Sequence, residues 1–431
     1  MNEIRILKTS GKARAGELST RHGMIKTPVL CPVGTQGSVK TLTPQDVRDV
    51  GMQMILAYTY HLYLRPGIPT IEKLGGLHKF MNWDGAILTD SGGYQLYSLS
   101  KLRQINDEGV IFRSHIDGSR HTFTPELAIK YQEALGSDII MVLDECIDHN
   151  ESRERVRAAM VRTHQWAERC LKIHNKPGQA LFAIVQGGLF PELRKQSAEY
   201  LTALKFDGYA IGGLSIGEPK SATFDITEQT TAMLPSDKPR YLMGVGAPED
   251  VVECVTRGID IFDCAMPTRV ARNGALYTPT GRVDIENAVY SQQAGPIDST
   301  CHCYTCQNFS AAYLHHLFRS KELLAYRLAT IHNLAFMSNL VQSVRNSILE
   351  GSFESFRTNF LSTYQTTNEE TRISQKQKWF EAREKKTQNE AKPSNSTCRD
   401  AAFLKNTSTN RRIYGRPIIR YLRYRKINCK I

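Results

Sequence analysis

Two sets of side chains in this chain carry chemistry by type and spacing. Cys301-His302-Cys303-Tyr304-Thr305-Cys306 reads C-x-C-x2-C, three thiols within six residues. Thiolates are soft donors, and three of them suit a closed, four-coordinate structural zinc once a fourth ligand joins. His332 lies 26 residues beyond Cys306, on the apolar helical pattern LLAYRLATIHNLAFM. It is a candidate fourth ligand, with His302, His315 and His316 as rivals. The bland reading is unligated thiols. Clustering speaks against it, because the other seven cysteines are scattered.

The second set is acidic. Asp90, Asp144 and Asp263 each close an apolar run of strand type. Glycosyl transfer with retained configuration uses two carboxylates. One attacks the anomeric carbon, and the other moves protons on and off the exchanging groups. An aspartate after a strand also serves as a helix cap. Three in register beside glycine-rich turns favour the chemical reading, but spacing does not divide the roles among them. Glu145 adjoins Asp144, and Gln186 closes the next run. Carboxylate and amide together match the mixed donors and acceptors of a purine edge.

Elements must bring these groups together. Near-continuous apolar runs predict buried parallel strands at Pro28–Pro32, Gln53–Ala57, Ala86–Thr89, Asp138–Leu143, Leu181–Val185, Gly208–Ile211, Tyr241–Val245 and Ile259–Phe262. Helical patterns separate several of them, at Thr124–Leu135, Arg153–His174 and Pro191–Leu204. Eight strands alternating with helices predict an α/β fold, a (β/α)8 barrel, with a doubly wound sheet as the competitor. Polar and glycine-rich residues gather at the C-terminal strand ends, where such barrels build active sites. The segment before the first strand reads as a hairpin across the barrel bottom.

Charge divides the chain. The net charge is +12 over 431 residues. Residues 366–431 hold 17 Lys and Arg against 6 Asp and Glu, while residues 1–365 hold 38 against 37. The basic character therefore belongs to a tail rich in Asn, Ser and Thr, which reads as disordered. The body, residues 1–365, reads as the barrel with a zinc subdomain at about 290–350. No run of about 18 apolar residues predicts a membrane span, and no apolar leader follows Met1, so the expectation is a cytoplasmic protein.

At several strand ends the residues resemble one family. TDSGG (Thr89–Gly93), DECI (Asp144–Ile147), VQGG (Val185–Gly188), IGGLSIGE (Ile211–Glu218), YLMGVG (Tyr241–Gly246), FDCAMPTRVARNG (Phe262–Gly274) and the CHCYTC and TIHNLAFM segments are similar to bacterial tRNA-guanine transglycosylases. The likeness covers roughly residues 3 to 360. It implies a (β/α)8 barrel with an inserted C-terminal zinc-binding subdomain, and His332 as the fourth ligand to one structural Zn2+ per subunit. It implies Asp263 as nucleophile and Asp90 as general acid/base. Asp144, Gln186 and Gly213 would hydrogen-bond the base, with Tyr94 stacked on it and Met243 near its other face. Leu214 would offer its backbone to the substituent of a 7-deazaguanine, and Arg269 and Arg272 would hold the nucleotides beside the target. The resemblance further implies a homodimer acting on the anticodon loop of tRNA, in queuosine biosynthesis.

Family members from bacteria commonly have Ala-Val where this chain has Ser215-Ile216. Ile216 and Cys146 leave little room in that floor, which favours the aminomethyl precursor as incoming base. Ser215 keeps queuine salvage as the alternative. An archaeosine-type enzyme would carry further folded RNA-binding domains, and a non-catalytic tRNA-binding subunit would lack the carboxylates that this chain keeps. A metal-dependent barrel hydrolase would need histidine-rich strand ends, and only His61 stands near one.

Overall fold

Eight short runs pair in parallel: β1 (Val29–Pro32), β2 (Met54–Tyr58), β3 (Ala86–Asp90), β4 (Ile139–Met141), β5 (Ala180–Val185), β6 (Gly208–Ile211), β7 (Arg240–Leu242) and β8 (Ile261–Cys264). This computed structural model describes residues 3–98 and 103–366, with Ser374. Strands β5 and β8 are buried along their whole length. A run with no polar face must be covered on both sides, which a parallel sheet clothed in helices provides. The strand order is β1-β8-β7-β6-β5-β4-β3-β2. Val33 bridges Leu56, and Gly34 N–H donates to Leu56 O at 2.6 Å, so β1 meets β2 and the ring closes. This is the expected (β/α)8 barrel. A doubly wound sheet would leave its outer strands unpaired.

No strand end departs from its expected position by more than three residues. The shifts matter at the carboxylates. Asp90 is the last residue of β3 and pairs with Tyr58; Asp263 lies inside β8 and pairs with Cys31. Only Asp144 stands beyond its strand, three residues past Met141. The helices form as their caps direct. Thr124 accepts from Leu127 N–H ahead of Pro125–Leu135, and Gly136 ends that helix at φ 76°. Ser152 caps Arg153–Ile173 in the same way.

The N-terminal hairpin gains a third strand. Ile4–Ser10, Ala13–Thr20 and Gly23–Thr27 form an antiparallel sheet. It reaches the N-terminal end of the barrel, where Arg14 pairs with Asp260 just before β8. A second three-stranded sheet, Arg103–Asn106, Gly109–Arg113 and Arg120–Phe123, is inserted between β3 and β4. Its strands are short and the outer two are largely polar, so no clear alternation announces the sheet.

After β8 the chain forms a helix (Met266–Arg272), a hairpin (Ala275–Thr278 with Gly281–Asp284), two short helices (Tyr304–Asn308 and Ala311–Arg319) and a long helix (Leu323–Glu350). At 28 residues the long helix spans about 42 Å. It carries His332 near its middle, and further on Arg345 donates to the carbonyls of Gly16 and Thr27 in the N-terminal sheet. One rod thus joins the cysteine-bearing segment to the barrel bottom. The basic tail, with its expected disorder, lies outside the described residues apart from Thr366 and Ser374. Among the described residues no helix is long and apolar enough to cross a membrane.

Arg14 and Asp260 are almost wholly buried together. Removing one partner leaves a buried charge uncompensated, which costs about 3–5 kcal/mol. Arg14→Met is expected to lower the urea midpoint accordingly. An unchanged midpoint would show that water reaches Asp260.

Candidate active site and metal centre

The mouth of the barrel collects three carboxylates with no cation bonded to any of them among the described residues. Asp263 accepts at Oδ1 from the Tyr241 hydroxyl at 2.6 Å and from Gly244 N–H at 2.8 Å. Asp90 accepts from Gln95 Nε2 at 2.7 Å and from Thr59 N–H at 3.2 Å. Asp144 accepts from Gln186 Nε2 at 2.8 Å. Neutral donors stabilise a carboxylate less than a cation does, so burial dominates. It pushes Asp90 up to about 8, with the charges of Asp263 and Asp144 adding to the rise. It pushes Asp144 up to about 6 and raises Asp263 as well. At neutral pH Asp90 therefore holds a proton that it can give away.

Glycines let the groups approach. A Cβ on Gly93 would lie 2.0 Å from Asp144 Oδ1, and one on Gly213 would lie 2.4 Å from Gln186 Oε1. Gly213 also adopts φ +68°, which side chains disfavour. The backbone thus touches Asp144 and Gln186 where both face the mouth. Tyr94, next to Gly93, is 42% exposed, and its ring lies 5.9 Å from that of Tyr97. Met243, half-buried, precedes the Gly244 that binds Asp263. Leu214 is buried beside Gly213. Arg269 and Arg272 occupy the last turn of the helix that follows β8, Arg269 exposed and Arg272 half-buried. All ten expected residues of the mouth therefore fall on one end of the barrel.

Several neighbours were not singled out by the sequence. Tyr241 orients Asp263, and nothing marks it except its place in YLMGVG. Gln95 holds Asp90 through Nε2, while its buried Oε1 has no hydrogen-bond partner among the described residues. An orphaned buried acceptor invites a ligand N–H. Glu218 gathers the N–H groups of Ser215, Ile216 (3.0 Å) and Gly217 (3.1 Å), and Thr223 donates to it at 2.6 Å. It shapes the turn after Leu214. Glu145, beside Asp144, is instead tied to Arg155 and Arg162, which fits a structural role.

The metal cluster assembles as a Cys3His set. Cys301, Cys303, Cys306 and His332 have donor atoms within 4.8 Å of one another and can hold a metal ion. His332 Nδ1 lies 3.8 Å from Cys303 Sγ and 3.3 Å from Cys306 Sγ. Tetrahedral zinc, with bonds of about 2.3 Å to sulfur and 2.0–2.1 Å to nitrogen, places such neighbours about 3.6 Å apart. His332 Nε2 bonds Tyr277 O at 2.7 Å. A carbonyl only accepts, so Nε2 carries the hydrogen and Nδ1 presents its lone pair to the thiols. Hydrogen bonds from Cys301 and Cys306 also hold the Cys303 thiol well below its ordinary range, favouring a thiolate. The rivals stand apart: His315 bonds Ile285 O at 2.8 Å, and neither His302 nor His316 joins the group.

The raised value of Asp90 has a consequence for stability. The unfolded chain loses this proton near the ordinary aspartate value of 3.8, and the folded chain near 8. Its contribution is therefore full below about pH 4 and is lost as pH rises to about 8. Asp90→Asn removes that loss. Its melting temperature is expected to gain on the parent between pH 5 and pH 9. A difference that stays flat across that range would mean Asp90 is not held protonated.

The chain is similar to known proteins over most of its length. The family model described as queuine tRNA-ribosyltransferase matches residues 9–366. A queuine tRNA-ribosyltransferase of Dehalococcoides mccartyi is 64% identical over 375 residues, covering 86% of this chain and 96% of the relative. Relatives of the same name from Thermoanaerobacter sp. and Herpetosiphon aurantiacus are 54% and 53% identical, covering 84% and 83% of this chain and 97% and 91% of their own lengths. This chain belongs to the queuine tRNA-ribosyltransferase family, whose members are pentosyl-transferring enzymes.

Proposed function

We propose that the chain exchanges the guanine at the wobble position of tRNAs with GUN anticodons for a 7-deazaguanine, through a ribose ester on Asp263. The observation that carries this reading is the pairing of two buried carboxylates with different endowments. Asp90 keeps a proton up to about pH 8. Both hydrogen bonds to Asp263 fall on Oδ1, which leaves Oδ2 to attack. Groups set apart in this way divide acid from nucleophile.

The target base must leave the loop stack to reach the mouth. Tyr94 stacks on it, with Met243 near its other face. Asp144, Gln186 and the Gly213 backbone read its polar edge, and Leu214 presents its backbone to the 7-substituent. Asp263 Oδ2 bonds the ribose anomeric carbon as the bond to guanine breaks, and Asp90 supplies the proton the leaving base takes up. The deazaguanine then enters, gives its ring N–H proton to Asp90, and its nitrogen displaces Asp263. Two inversions return the original configuration. Ile216 and Cys146, both buried, favour the small aminomethyl base over queuine. Arg269 and Arg272 hold the flanking nucleotides.

The Cys3His set holds one structural Zn2+, since three thiols and one imidazole leave no open position. It clasps the short helix at Cys303 to the long helix at His332, and so steadies the face through which two subunits pack. The enzyme acts in the cytoplasm as a homodimer built from a barrel body, residues 1–365, and a basic tail.

Two measurements test this. With tRNA and a purine analogue that stalls exchange, the parent protein should form an adduct stable on a denaturing gel, and Asp263→Asn should form none. An adduct with Asp263→Asn would move the nucleophile elsewhere. Cys303→Ser should lose one zinc per chain by elemental analysis and shift the protein from dimer to monomer. A full zinc content in that variant would remove Cys303 from the ligand set.

A further inference from the structure

A second constellation stands at the other end of the barrel. His22 lies in the turn between two strands of the N-terminal sheet, His78 in the short helix Leu77–Met81, and Asp138 immediately before β4. These residues are 56 and 60 positions apart, so no motif announces them. Their donor atoms all lie within 4.8 Å of one another. His22 Nδ1 is 2.7 Å from Asp138 Oδ1, and His78 Nε2 is 3.3 Å from Asp138 Oδ2. The two imidazoles stack, with centroids 3.6 Å apart and planes at 15°.

We propose that His22, His78 and Asp138 form a second metal site, for a divalent transition ion of the zinc class. Two imidazoles and one carboxylate are a common donor set for such ions. Bonds of about 2.0–2.1 Å at a tetrahedral ion place neighbouring nitrogen and oxygen ligands about 3.3 Å apart. The His78 distance already has this value, and the His22 distance needs to open by about 0.6 Å. The carboxylate is fully buried and fixed from behind, because Ile87 N–H donates to Oδ2 at 2.9 Å. Such second contacts hold a ligand ready for its ion. Gly85 O, 3.1 Å from His78 Nε2, accepts that nitrogen's hydrogen and gives up the bond when the ion loads. His22 keeps about a third of its side chain in solvent, which opens a path for the ion.

Loading needs no net loss of protons. Each ring nitrogen that now shares a hydrogen with the carboxylate passes it to its other nitrogen and offers the lone pair to the ion. One cation nearby opposes this: Arg21 Nε is 3.9 Å from Asp138 Oδ1. Its Nη2 is anchored on the carbonyls of Gly136 and Ser137, beyond hydrogen-bond contact with the carboxylate. The ion would pin the turn of the N-terminal sheet to the barrel bottom, remote from Asp90 and Asp263.

The test uses the full-length, zinc-loaded protein dialysed against Zn2+ at micromolar concentration. Two ions per chain are expected for the parent, and one for His22→Ala and for His78→Asn, with affinity for the second ion down at least tenfold. Added Zn2+ should raise the melting temperature of the parent and leave that of His22→Ala unmoved. His22 sits in an exposed turn, so its removal leaves the core intact. A single ion in the parent, or two ions in both variants, would overturn the site and leave Asp138 bound only by hydrogen bonds.

Discussion

Taking a carboxylate out of water is costly, and this barrel does it repeatedly at both ends. The two ends treat the charge differently. At the N-terminal end Asp260 receives Arg14, and Asp138 receives His22 and His78, whose hydrogen bonds hold it below the ordinary carboxylate range against the opposing pull of burial. At the C-terminal end Asp90, Asp144 and Asp263 receive, among the described residues, amides, hydroxyls and backbone N–H groups in place of cations, and all three are raised. One end spends its aspartates on holding strands together. The other keeps its aspartates in a state that a substrate relieves.

That asymmetry follows from the parallel ring. Every strand points the same way, so every C-terminal end opens on one mouth. Residues far apart in the chain become neighbours there. Tyr241 on β7 reaches Asp263 on β8, and Gln186 beyond β5 reaches Asp144 beyond β4. Glycines 93 and 213 make the approach possible, because any side chain at either position would collide with the polar groups opposite. The long helix braces this frame from outside. Through His332 it joins the thiol cluster, and through Arg345 it holds the N-terminal sheet that closes the bottom.

Much of this was legible in the residues. The strands were visible because a strand buried on both faces is apolar throughout, and three helices were visible as helical patterns between them; the caps at Thr124 and Ser152 emerged in the fold. The three cysteines stood out because zinc ligands on one short loop are close in sequence. The inserted sheet at 103–123 was not visible, since its strands are brief and polar on exposed faces. Tyr241, Gln95 and Glu218 escaped for a different reason. Each acts by touching a group on another segment, and no spacing rule links the two.

By itself, then, the sequence determined the eight buried strands, the thiol cluster and the short list of carboxylates, because burial and local ligand spacing leave marks in composition and period; closure of those strands into a ring was seen only where Val33 meets Leu56. Spacing alone left four histidines open and the family resemblance named His332; tertiary structure supplies the physical reason, since there Tyr277 O takes the hydrogen from Nε2 and Nδ1 turns toward sulfur. It also decided that Asp90 stays protonated while Asp138 does not. That difference depends on which donors the fold brings to each carboxylate, and those donors come from elsewhere in the chain.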